Sequence, residues 1–121
     1  MPNVTKCFVI ALITLIPSLS FATLKKFTNR DCPALGMPKT VLLVHASWCS
    51  HCKAFLPVYE QVSDKEKYKD WIFYQMVNDK FAKVCGIAIK GVPITFKNNM
   101  KNNIMGNRTQ AALEEFLDST I

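Results

Sequence analysis

The chain has 121 residues and a mass near 13.7 kDa, room for a single domain. Half of its residues are hydrophobic and a fifth are charged, which excludes a disordered tail, a collagen-like fibre and a low-complexity scaffold. Fifteen basic residues against nine acidic ones leave +6, a moderate excess without an arginine-rich tract, so nucleic acid is not an expected partner.

Residues 1–22 read as an address. Lys6 precedes an apolar stretch from Phe8 to Ile16, Pro17 breaks it, and Ser20-Phe21-Ala22 sets small residues where a signal peptidase inspects the chain. The apolar run is shorter than the roughly 20 residues that span a bilayer, so a cleaved secretory leader is expected in place of a membrane anchor. Cleavage after Ala22 leaves 99 of the 121 residues as one domain, 23–121, and removes Cys7. It also leaves fourteen basic against nine acidic residues, or +5, and four cysteines: Cys32, Cys49, Cys52 and Cys85. An even thiol count suits an oxidising compartment, so the expected location is periplasmic or secreted, with no further membrane span.

Within 23–121, Leu24 and Phe27 begin a short strand or helix, and Cys32-Pro33 and Gly36-Met37-Pro38 mark a loop. Val41-Leu42-Leu43-Val44 is an unbroken aliphatic run, the pattern of a strand buried on both faces. From Cys49 the spacing turns helical, with Phe55, Leu56, Tyr59 and Val62 on one side and Pro57 expected to kink the helix. Residues 71–77 predict a second buried strand, and Asp79 to Cys85 a short helix closed by Gly86. Ile94-Thr95-Phe96 predicts a strand, residues 97–103 a polar hairpin turn, and Ile104-Met105 the return strand. Asn107, with Gln110 three positions on, predicts the cap of a last helix whose apolar side carries Leu113, Phe116 and Leu117. This order describes an α/β layer fold with a mixed sheet.

The chemistry is concentrated in Trp48-Cys49-Ser50-His51-Cys52-Lys53, two thiols three residues apart where a buried strand gives way to a helix. At a helix's first turn the unpaired N–H groups and the macrodipole favour negative charge, so a Cys49 thiolate is stabilised and its pKa lowered. His51 adds a positive charge when protonated. Cys52, one turn later, is placed to attack a mixed disulfide formed at Cys49. The pair therefore reads as a reversible dithiol/disulfide couple in which Cys49 attacks and Cys52 resolves.

With the buried strand before it, Pro57 five positions after Cys52, and Gly91-Val92-Pro93 further on, this segment resembles the thioredoxin family from about Val41 onward. The resemblance implies a thioredoxin-like α/β fold, a mixed central sheet with helices on both faces. It also implies a thiol–disulfide oxidoreductase that acts on protein or peptide thiols, needs no cofactor or metal beyond the Cys49–Cys52 disulfide, and is reset by a separate redox protein. In such proteins the loop with a cis peptide before proline faces the dithiol. Pro93 would hold that turn, and the Val92 backbone would pair with a substrate strand. Trp48 would supply an apolar rim, with Phe55 assigned to the core.

Two departures matter. Thioredoxin carries an acidic residue six positions before its first cysteine; here that position is Leu43, and His45, on the same side by strand alternation, is the candidate substitute base. The residues between the cysteines are Ser50-His51. A histidine before the second cysteine also occurs in periplasmic oxidants of the DsbA type and in protein disulfide isomerases, which implies a couple more oxidising than thioredoxin's. The chain is too short for the inserted helical domain of the DsbA type, so a small exported bacterial thioredoxin-like protein is expected.

Other readings compete. A thioredoxin-fold binding or assembly module would use the same groove without turnover. A structural zinc site would recruit Cys85, His45 or His51 to the CxxC, although no second paired-ligand motif is present. Cys32 and Cys85 read as two buried thiols more readily than as a bridge, because nothing in the strand order forces them together. Lys80, Lys83, Lys90, Lys97, Lys101 and Arg108, with no acidic residue among them, read as a solvated basic face. Asn107-Arg108-Thr109 matches a glycosylation acceptor, but a helix cap explains Asn107.

Overall fold

The computed structural model of the protein describes residues 24–98, 102–105 and 108–119. The leader segment, Cys7, the tip of the hairpin and Asn107 lie outside the described residues. Five strands form one sheet: β1 (Lys25–Lys26), β2 (Thr40–His45), β3 (Ile72–Val77), β4 (Ile94–Lys97) and β5 (Asn102–Met105), in the order β1-β3-β2-β4-β5. β3 runs parallel to both β1 and β2, whereas β4 is antiparallel to β2 and β5, so the sheet is mixed as expected. Two α-helices, α1 (Ser50–Ser63) and α2 (Gln110–Asp118), and two 3-10 helices, Asn29–Gly36 and Glu66–Tyr68, complete the regular structure of the described residues. Among the described residues no helix is long and apolar enough to cross a membrane.

β2 is the central strand, and its unbroken apolar run follows from having cover on both sides. Val41 and Leu43 pack with Phe55, Tyr59 and Val62 of α1 and Leu113 and Leu117 of α2. Leu42 and Val44 face the other layer, with Phe27, Leu35, Val84 and Ile89. All four β2 side chains are fully buried, and each such side chain contributes roughly 1.5–3 kcal/mol relative to exposure. The helix predicted from Cys49 runs unbroken through Pro57 as one 14-residue element. The other face is covered by the 3-10 helix Asn29–Gly36, closed at its start by a Thr28–Asp31 capping box, and by the irregular segment 78–93.

That segment corrects the sequence reading, since no helix forms over Asp79 to Cys85. The Asn78 side chain instead closes a turn on Ala82, accepting from its N–H and donating to its carbonyl at 2.8 Å each. The Asp79 carboxylate is committed to Ser47. Phe81, Cys85 and Gly86 adopt left-handed φ of 55°, 51° and 81°, values an α-helix cannot contain. Short polar side chains that satisfy the backbone locally compete with a helix, and here they prevail. A second correction concerns α2. Its cap is Thr109, whose hydroxyl accepts from the Ala112 N–H at 3.1 Å, so Gln110 is the first helical residue.

Two cysteines and a lysine also depart from expectation. Cys32 and Cys85 form a disulfide with 5.7 Å between α-carbons, joining the first 3-10 helix to segment 78–93. Both flank the same apolar cluster on the second face of the sheet, which brings together residues 53 positions apart. Lys97 is buried, not part of a basic face. Its ammonium donates to the carbonyls of Phe116 and Ser119 and to the Ser119 hydroxyl at 2.7–2.9 Å, closing the C-terminal end of α2. Lys80, Lys83 and Lys90 are exposed as expected.

Candidate active site

The site forms where β2 ends. After His45, Ala46 is buried and the chain turns through Ser47 and Trp48 to Cys49, which caps α1. Cys49 and Cys52 form a disulfide with α-carbons 5.2 Å apart. The Cys49 sulfur accepts the Cys52 backbone N–H at 3.1 Å, one of the donors that a helix start leaves without an intrahelical partner. Cys49 is 6% exposed and Cys52 1%, so the leading sulfur is the one nearer solvent.

The turn is held from the side by Asp79. Its carboxylate accepts from the Ser47 N–H at 2.6 Å and the Ser47 hydroxyl at 2.8 Å, and these bonds hold its pKa below the ordinary 3.8. The Trp48 indole donates to the Asp79 carbonyl at 3.1 Å. This leaves Trp48 more than half exposed beside Cys49, with the Phe81 ring edge-on to it at 5.8 Å. Phe81 is a rim residue that sequence reasoning missed; its one advance signal was an aromatic side chain straight after the polar run Asn78-Asp79-Lys80.

The opposite wall is Gly91-Val92-Pro93. The Val92–Pro93 peptide is cis, and Val92 packs against Ala46, Cys49 and Cys52. Its carbonyl oxygen lies 3.8 Å from the Cys49 sulfur. The fold therefore brings together Trp48, Cys49, Cys52, Val92 and Pro93, while His51 stands exposed on the first turn of α1.

The family profile Thioredoxin matches residues 33–119. The chain belongs to the thioredoxin family. It is 32% identical over 82 residues to Thioredoxin Asp f 29 of Aspergillus fumigatus, an alignment covering 65% of this chain and 74% of that one. It is 36% identical over 90 residues to the chloroplastic F-type thioredoxin of Spinacia oleracea, covering 71% of this chain but only 45% of the relative. The crystal structure of spinach chloroplast thioredoxin F in its short form superposes with a TM-score of 0.62 at 25% identity, covering 80% of this chain and 92% of that one. As a thioredoxin-family member the chain is a thiol–disulfide oxidoreductase that works on protein thiols through its own disulfide, without an added cofactor.

Against the family pattern, Leu43 takes the place of the acidic residue, fully buried beneath α1. His45, the candidate substitute base, has its Nε2 2.7 Å from Gln75 Oε1, and no hydrogen bond among the described residues joins it to Cys52. Phe55 is core, as assigned. Among the described residues no group of three His, Cys, Asp or Glu side chains is arranged to hold a metal, and Cys85, one of the three residues suggested as zinc partners, is bonded to Cys32.

Proposed function

We propose that this protein is an exported thiol–disulfide oxidoreductase in which Cys49 is the nucleophile and Cys52 the resolving thiol. The observation that carries the reading is the Cys49 sulfur at the head of α1, accepting a backbone N–H and lying 3.8 Å from the Val92 carbonyl oxygen. In the reductive direction the Cys49 thiolate attacks a substrate disulfide, forming a mixed disulfide and releasing one substrate thiol. Cys52 then attacks the Cys49 sulfur, the second substrate thiol leaves, and two electrons have passed from the dithiol to the substrate. The oxidative direction is the same sequence reversed.

Trp48, Val92 and Pro93 form the substrate-binding residues of this reading: Val92 offers backbone to an extended substrate segment, and Trp48 offers an apolar edge. His51 tunes the couple toward a more oxidising potential. The leader-like residues 1–22 and the even thiol count of 23–121 support export to a periplasm or beyond. A second redox protein resets the dithiol. Insulin reduction by the wild type and by Cys49→Ser tests the reading. Turnover by the wild type that disappears in the variant is expected, and equal rates would leave a binding module in its place.

A further inference from the structure

We infer that the Cys32–Cys85 disulfide is a positioning device for the substrate loop, so that the groove is fully assembled only where this second bond is oxidised. The inference rests on the proposed role of Val92 and begins with what holds segment 78–93 in place. The start of the segment is anchored to the dithiol turn: Asn78 N–H donates to the His45 carbonyl at 2.7 Å, and Asp79 accepts from Ser47. Its end is anchored at buried Pro93. Between these points the chain lacks helix or strand, apart from a tight turn in which Val84 and Ile87 exchange backbone hydrogen bonds at 2.9 and 3.0 Å.

That turn is held to the sheet at few points: Val84 and nearby Ile89 are buried in the core and Cys85 packs against it, while Gly86, Ile87, Ala88 and Lys90 are exposed. It also contains two consecutive left-handed residues, Cys85 and Gly86, a backbone conformation that a residue bearing a Cβ adopts rarely. The bond from Cys85 to Cys32 ties the turn to the 3-10 helix Asn29–Gly36, whose Leu35 is buried in the same cluster as Val84 and Ile89.

Val92 connects this cluster to the dithiol. It packs against the cluster that Cys32 and Cys85 flank, and against Ala46, Cys49 and Cys52 on its other side. The second disulfide and Val92 thus flank one apolar cluster, to which Val84 and Ile89 belong, and the Val92 carbonyl faces Cys49. Cutting the tie frees the turn just upstream of Val92 and leaves the Cys49–Cys52 couple itself covalently intact. Substrate binding should suffer and the exchange chemistry should not. Cys32 and Cys85 are positioning residues in this scheme, and neither touches the substrate.

The test is the double variant Cys32→Ala/Cys85→Asn, since asparagine tolerates the left-handed conformation and keeps the backbone preference while removing the bond. In the oxidative direction, with a peptide dithiol as substrate and glutathione disulfide as the recycling oxidant, conditions that keep Cys32–Cys85 bonded in the wild type, KM should rise at least fivefold while kcat stays within twofold. A lowered Tm with unchanged KM would make the bond a structural brace only and overturn the inference. If the wild type itself turns over neither this dithiol nor insulin, the proposed function fails, and the positioning role is then decided by a second measurement that needs no activity.

The second measurement also serves if the double variant does not fold. In Cys49→Ala/Cys52→Ala protein, dithiothreitol reduces Cys32–Cys85 by supplying two electrons and two protons, yielding two thiols and oxidised reagent. Amide hydrogen exchange across 86–92 should then accelerate at least tenfold while Val41 to Val44 stay protected. Unchanged exchange in 86–92 would overturn the inference.

Discussion

The Cys49 sulfur and the Val92 carbonyl oxygen lie 3.8 Å apart, though 43 residues separate them in the chain. Cys52, on the other side of the disulfide, is more deeply buried. This asymmetry predicts that an alkylating reagent added to the reduced protein modifies Cys49 first, and that Cys52→Ser accumulates a mixed disulfide with insulin through Cys49. Mass mapping of the trapped species checks both. A species linked through Cys52 in Cys49→Ser, forming at a comparable rate, would reverse the assignment.

His51 sits exposed on the first turn of α1, next to Cys52 in sequence. An imidazole there favours the thiolate over the disulfide, so His51→Pro should make the Cys49–Cys52 couple more reducing by about 30 mV or more, the equivalent of about 1.4 kcal/mol. Equilibration against a glutathione buffer reads the shift, and an unchanged potential would remove His51 from the tuning role.

The Cys32–Cys85 bond also has a thermodynamic consequence. It closes 53 residues of chain, and the chain-entropy model assigns such a loop roughly 4 kcal/mol of stabilisation, through the unfolded state. The double variant Cys32→Ala/Cys85→Asn should lose about 2–4 kcal/mol in urea unfolding under non-reducing conditions.

Stability should fall at high pH. The buried Tyr59 hydroxyl donates to the Tyr74 carbonyl at 2.7 Å, and burial raises its pKa well above 10.0. Tyr68, donating to the Asp118 carboxylate at 2.8 Å, is pushed up to about 12, first by burial and then by that bond. The folded chain thus keeps protons that the unfolded chain releases near pH 10. The stabilisation is complete below pH 10 and is lost as pH rises toward 12 and beyond. Urea midpoints measured from pH 8 upward should decline past pH 10, and less steeply in Tyr68→Phe.

Lys97 is a cap built from the side chain of a neighbouring strand. Lys97→Met keeps the aliphatic stem and removes the donor from two carbonyls at the end of α2. A loss of about 1–2 kcal/mol is expected, with fraying of α2 visible by hydrogen exchange at Phe116 to Ser119.

How much of this was legible from the chain depends on how local each signal is. The β2 run, the helical spacing after Cys49 and the paired thiols at their junction are patterns within a few residues, and the structure repeats them. The cis loop at Pro93 was legible only through resemblance, because no local property of Gly91-Val92-Pro93 says what it faces. Asp79 shows the limit well. As an acidic residue after a strand it marks a helix start, yet its carboxylate is taken by Ser47, 32 positions away.

The amino-acid order alone therefore determined a central strand covered on both faces and a redox couple at the mouth of the following helix, since burial periodicity and thiol spacing are short-range properties. Tertiary structure alone decided that Cys32 finds Cys85, that the Asp79 carboxylate is taken by Ser47, and that Lys97 is buried under α2. Each of those outcomes depends on groups brought close by the sheet's strand order. A contact between residues distant in the chain is stabilised only after the fold has placed them side by side.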